Sequence, residues 1–88
     1  MKPYSIHFTK NSLDEAEKLD ASANRRITKR VEWLAENLDR LSLQPLKGRF
    51  SGLYKLRAGD YRVIYEIVHD RRAVVIHHVG HRKDVYDE

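Results

Sequence analysis

Cysteine is absent from this 88-residue chain, and so are internal repeats, low-complexity tracts and long apolar runs. Each absence excludes something. Without cysteine there is neither a disulfide framework nor a thiolate metal site to hold a small fold together. No apolar stretch approaches the roughly 18 to 20 residues that a membrane-spanning helix needs, and the segment from Met1 to Thr9 carries no hydrophobic signal core. A cytoplasmic protein with no membrane partner is the expectation. Nothing resembles a linker, so residues 1–88 are expected to form a single domain. A chain of this length hides only roughly 60 to 65% of its unfolded surface, so packing or a bound partner must supply the stability.

Acidic residues are scarce in one region in particular. The whole chain has 17 Lys and Arg against 13 Asp and Glu, a net charge of +4, which by itself favours a polyanionic partner only weakly. Through Leu43 there are eight basic and seven acidic side chains, whereas from Lys47 to Arg62 there are five basic and one acidic. The positive field is therefore local.

The pattern of apolar residues predicts the elements. "KPYSIHF" alternates Tyr4, Ile6 and Phe8 with Ser5 and His7, as a strand with one buried face does. Ser12 and Glu15 stand in capping-box spacing, and Leu13, Ala16 and Leu19 share one side of a short helix. From Ser22, the stripe Ile27, Val31, Leu34, Leu38 and Leu41 predicts a long amphipathic helix, antiparallel to the first and covering the same sheet face. Trp33 lies at the edge of that stripe, where packing is expected, with contact to a protein partner as the alternative. "QPLKGRFSG" is a turn-rich connection carrying Lys47 and Arg49. "LYKLR", "YRVIYEIV" and "AVVIHHV" then read as three strands joined by short turns. The fold class is α+β: an N-terminal strand, a two-helix hairpin and an antiparallel meander, with the helices on one face.

Alternation sorts the cations. Tyr61, Val63, Tyr65 and Ile67 point one way and Arg62, Ile64 and Glu66 the other, while Lys55 and Arg57 lie opposite Tyr54 and Leu56. Lys55, Arg57 and Arg62 are thus expected together on the face without helices. Guanidinium forks suit Arg57, Arg62 and Arg82 to gripping a phosphodiester. His81 and Tyr86 are types that transfer protons or stack on bases. His77 and His78, adjacent on one strand, are expected on opposite faces and therefore not as joint metal ligands.

"YKLRAGDYRVIYEI" and "VVIHHVGHRKDVY" together resemble the RelE family of toxins within the RelE/ParE superfamily, and the order of elements agrees along the chain. The resemblance implies an endoribonuclease without metal or other cofactor, which enters the ribosomal A site and cuts messenger RNA by attack of a 2'-hydroxyl on the adjacent phosphorus. By that pattern Lys55, Arg62, Arg82 and Tyr86 are catalytic; His81 joins them as the candidate acid on its own chemistry, and Lys47, Arg49, Arg57 and Lys83 are the basic residues expected to contact RNA. Arg62 and Arg82 would steady the phosphate, and Tyr86 would stack or orient the hydroxyl. Lys55, its pKa lowered by neighbouring cations, and His81 share the proton transfers. Some members carry a second lysine where this chain has Leu53, which leaves open which of the two is the base. The resemblance also implies a cognate antitoxin that wraps the toxin, with operator DNA reached only through it. Arg25, Arg26, Lys29 and Arg30 read as a solvated helix face, or as electrostatic contacts to ribosomal RNA. Two other functions compete: a ParE-like gyrase inhibitor, and a binding module without catalysis.

Overall fold

The computed structural model describes residues 2–83. Its elements are β1 (Ser5–Phe8), α1 (Lys10–Glu17), α2 (Ala21–Asn37), β2 (Tyr54–Ala58), β3 (Tyr61–Val68) and β4 (Ala73–His81). The helices begin where a short polar side chain can satisfy a free N–H. Asp20 caps α2 by accepting from the Ala23 N–H at 2.8 Å. α1 starts earlier than the capping-box spacing suggested. Its cap is Thr9, which accepts from the Ser12 N–H at 3.1 Å, and Ser12 is buried inside the helix. Thr9 directly follows β1, so strand passes to helix without a loop. Asn24 then donates to the Ala16 carbonyl at 2.9 Å, a second bond to an acceptor in the last turn of α1 that the Leu19 N–H also reaches at 3.0 Å.

The sheet order is β1-β4-β3-β2. β2, β3 and β4 form the expected antiparallel meander, whereas β1 pairs parallel to the first half of β4, from Ser5 with Ala73 to Phe8 with Ile76. The sheet is therefore mixed. Beyond β1, α1 takes over the edge of β4. Asn11 donates to the His77 carbonyl at 3.2 Å, and Glu15 accepts from the Val79 N–H at 3.1 Å. Two helix side chains thus stand in for a neighbouring strand and blunt an edge that would otherwise template pairing.

Both helices pack on one sheet face. Ile27, Val31, Leu34 and Leu38 bury against Leu56, Val63, Tyr65, Val74, Ile76 and Val79. On the opposite face the connection after α2 folds back, and Phe50 with Leu46 and Leu53 covers Ile64. Gly48 (φ 69°) and Gly52 (φ 84°) permit that reversal. Arg72, at φ 48°, occupies a left-handed position that costs a non-glycine residue roughly 1 kcal/mol. Its guanidinium lies 2.9 Å from Asp39 and stacks over Tyr4, tying the β3–β4 turn to the end of α2 and to the N-terminal segment. Its hydrogen bond holds the Asp39 carboxyl below the usual aspartate value.

The expected placement of the two histidines fails. Ile64 pairs with His78 and Tyr65 with Ile76, so His77 is an extra residue, a β-bulge. The alternation breaks there. His77 reaches Glu66 at 2.9 Å, while His78 meets Phe50 with ring centroids 5.4 Å apart, so both histidines lie on the face away from the helices.

Tyr65 is fully buried, and its hydroxyl has no hydrogen-bond partner among the described residues. Burial pushes its pKa from 10.0 up to about 12, with Tyr54 adding to the shift. Between those values the unfolded chain has released this proton and the native chain retains it, so stability falls as pH rises through the window. Tyr65→Phe is expected to raise stability by about 1 kcal/mol at neutral pH and to flatten that alkaline decline. Urea unfolding as a function of pH checks both, and a variant less stable than the parent at neutral pH contradicts the burial cost.

Candidate functional site

The face without helices is built row by row by strand register. Lys55 pairs with Ile64 and Ile64 with His78; in the next row Arg57 pairs with Arg62 and Arg62 with Gly80. Directly paired residues project to the same side, so Lys55, Arg57 and Arg62 share one surface, as the alternation predicted. The Arg82 N–H donates to the Asp60 carbonyl at 2.8 Å, which fastens the exit of β4 to the β2–β3 turn. That bond brings Arg82 near enough to act on Arg62.

The electrostatics bear this out. The Lys55 pKa is held below its usual value, first by partial burial and then by the charges of Arg62 and Arg57. The cause expected from the sequence is present, but desolvation leads. Arg62 is likewise lowered by burial, then by Arg57 and Arg82. Four cations therefore feel one another across a few strands' width. Such a surface can hold a phosphodiester, and its lysine gives up a proton more readily than a solvated one.

His81 does not join them. It pairs with Tyr61, whose ring it meets edge-on at 5.6 Å, and Tyr61 packs against the helix-side core. Because Gly80 faces the cations, the next residue must face the other way. The His81 Nδ1 instead accepts from the Lys83 N–H at 3.2 Å. Among the RNA contacts expected from the sequence, Arg49 stacks on Phe50 at 5.2 Å, and Phe50 covers Ile64 in the middle of the face. Lys47 precedes the same turn. Tyr86 lies outside the described residues.

Sequence reasoning missed the imidazoles beside the cations. His78 lies on the row of Lys55 and Ile64, with Nδ1 3.4 Å from Glu15 and 3.2 Å from Asn11. His77 pairs with Glu66. A bulge leaves no mark in a run of strand-forming residues, so nothing in "VVIHHV" announced it. Among the described residues no three His, Cys, Asp or Glu side chains converge as a metal site.

The fold and this face define a small α+β domain that presents clustered cations on the side of a four-stranded sheet opposite the helices. Residues 6–86 match the family model described as the ParE toxin of the type II toxin–antitoxin system parDE. Toxin RelG of Mycobacterium tuberculosis is 33% identical over 87 residues, covering 96% of this chain and 97% of that protein. Among solved structures, the toxin–antitoxin complex RelBE2 of M. tuberculosis superposes with a TM-score of 0.81 at 29% identity, covering 93% of this chain and 94% of that one. Free Escherichia coli toxin RelE, as a mutant, gives 0.74 at 25% identity over 94% and 87%. The chain belongs to the RelE/ParE superfamily of type II toxin–antitoxin toxins, and these relatives make it a RelE-family toxin.

The Lys55 amine is expected to titrate below 10.5. Arg57→Gln and Arg62→Gln should each move its midpoint upward, since each removes a like charge. Lysine-selective NMR titration measures this, and a midpoint that stays put in both variants contradicts the shared field.

Proposed function

We propose that this toxin is an endoribonuclease that cuts messenger RNA on the ribosome, in the cytoplasm, and so stops translation. The observation that supports this is the gathering of Lys55, Arg57 and Arg62 on one sheet face within the field of Arg82. In the proposed reaction a phosphodiester sits among these side chains. Lys55, in its neutral form, accepts the proton of the 2'-hydroxyl. The 2'-oxygen bonds to phosphorus as the bond to the 5'-oxygen breaks, leaving a 2',3'-cyclic phosphate, and the released 5'-oxygen takes up a proton from water to become the 5'-hydroxyl. Arg62 and Arg82 stabilise the charge that builds on the phosphate oxygens, with Arg57 supporting them. Tyr86 is assigned the stacking or orienting role. His81, turned to the opposite face, is not assigned the proton donation that the sequence suggested.

A cognate antitoxin belongs to the same proposal, since the RelBE2 relative is a complex of toxin with antitoxin. An acidic or amphipathic segment of such a partner would be drawn to the cationic face and block it. One observation favours a second reading, inhibition of DNA gyrase: the matching family model is that of ParE toxins. The fold alone does not choose between them.

Mapping RNA ends in a translation extract, beside a gyrase supercoiling assay, separates the two readings. The wild-type chain is expected to produce ribosome-dependent cuts ending in 2',3'-cyclic phosphate and to leave supercoiling untouched. Arg62→Ala and Arg82→Ala should each slow cutting by about 100-fold or more, and Lys55→Met by about 100-fold to 10,000-fold. Cutting at the parental rate by both arginine variants removes this mechanism, and gyrase inhibition without cuts establishes the alternative.

A further inference from the structure

The cationic surface does not stop at the edge of the sheet. On α2, Arg26, Arg30 and Trp33 follow one another at intervals of four and three, a single stripe along the helix flank that faces β2. Two contacts fix that stripe against the edge strand. The Arg30 Nε donates to the Arg57 carbonyl at 3.1 Å, and the Arg26 guanidinium reaches the β2–β3 turn, 3.3 Å from where a side chain at Gly59 would begin. Arg57 itself projects onto the sheet face opposite the helices, beside Arg62. The guanidinium groups thus run from that face, around the β2 edge, and up the helix.

The stripe ends in an exposed aromatic. Trp33, expected to pack at the margin of the core, is instead 41% exposed, and the Arg30 guanidinium stacks over its ring at 4.7 Å. A cation held against an indole, beside further arginines, is the combination with which proteins follow unpaired nucleic acid: charge tracks the backbone, and the aromatic surface takes a base. A duplex could use the charges but not the indole, because its bases are already stacked. The other cations of the exposed helix surface, Arg25 and Lys29, line a separate shallow groove with Asn24, Thr28 and Glu32.

We propose that Arg26, Arg30 and Trp33 form a second contact site for single-stranded RNA, which holds the strand after it leaves the cationic sheet face around the β2 edge. This rests on the RNA-cutting function for its biological meaning, but its test does not depend on cutting.

The experiment measures, by fluorescence anisotropy across a salt series, the affinity of the full chain for 2'-O-methyl oligouridylates of about 6 and about 18 nucleotides. The methyl group blocks cleavage. The wild-type chain is expected to bind the longer strand about 10-fold more tightly than the shorter one, beyond the gain from extra binding registers. Arg26→Gln/Arg30→Gln should abolish that gain and reduce the slope of log affinity against log salt by about 1.4, roughly 0.7 for each phosphate that is no longer neutralised. Trp33→Ala should weaken the longer strand by about 5-fold or more. Trp33→Ala and Arg26→Gln singly leave the Arg30 bond to β2 intact, so they stand as the check if the double variant has lost thermal stability.

Arg25→Gln/Lys29→Gln removes the same charge elsewhere on the helix and should leave the length-dependent gain in place. Equal losses from that control overturn the proposal, as do an unchanged gain in the stripe variants or preferential binding of a duplex. If the length-dependent gain behaves as described but no RNA is cut on ribosomes, the proposed nuclease falls and this site stands. If Arg62-dependent cutting persists without the gain, only this site falls.

Discussion

Pairing Arg57 with Arg62 across the β2–β3 ladder sets two like charges side by side, an arrangement that weakens a sheet by several tenths of a kcal/mol in the absence of other compensation. Much of the rest of the structure supports that row. The opposite sides of the same two strands bury Leu56, Val63 and Tyr65 against α2, so a slip of one residue would turn the apolar set outward. Register is thus held by the hydrophobic face, and the cationic face inherits it. Arg82 is added to the group by a backbone hydrogen bond at the β2–β3 turn, not by strand pairing.

The same sheet carries two unlike surfaces because each is covered differently. On the helix side the core is continuous from β1 to β2. On the other side, among the described residues, the Phe50 turn makes a small apolar cluster over Ile64, and polar and charged side chains gather around it: Arg49 stacked on Phe50, His78 beside the ring, and His77 with Glu66. α1 contributes from the edge, through Asn11 and Glu15, which hold the outer half of β4 where β1 no longer reaches. A short helix thereby positions the strand that carries His78, Gly80 and the approach to Arg82.

Membership of a toxin superfamily that spans RelE and ParE descriptions means that function must be argued from the face and not from the fold. The proposed phosphate site rests on that face: the cations are clustered, the lysine among them has its pKa lowered by burial and by Arg62 and Arg57, and guanidinium groups continue around the β2 edge to an exposed indole. His81 illustrates how sharply position decides chemistry. One residue beyond Gly80, it faces the core-side Tyr61 and is separated by the sheet from the groups it was expected to assist.

The sequence by itself determined the element order, the α2 stripe from Ile27 to Leu34, and the sidedness of β2 and β3, because these follow from periodicities that local sterics impose. Lys55, Arg57 and Arg62 could be assigned to one face for that reason. Leu38 and Leu41, expected on the same helix as the stripe, fall in and after a 3-10 turn beyond its end. Only the tertiary structure decided the rest. The parallel pairing of β1, the bulge at His77 and the edge contacts of Asn11 and Glu15 arise between segments distant along the chain, where no local period operates. The bulge put both histidines on the cationic side, Gly80 set the outward turn of its row and left His81 on the other, and the β2 edge brought Arg30 of α2 against Arg57. Which charges share a field depends on which backbones lie side by side, and long-range packing settles that.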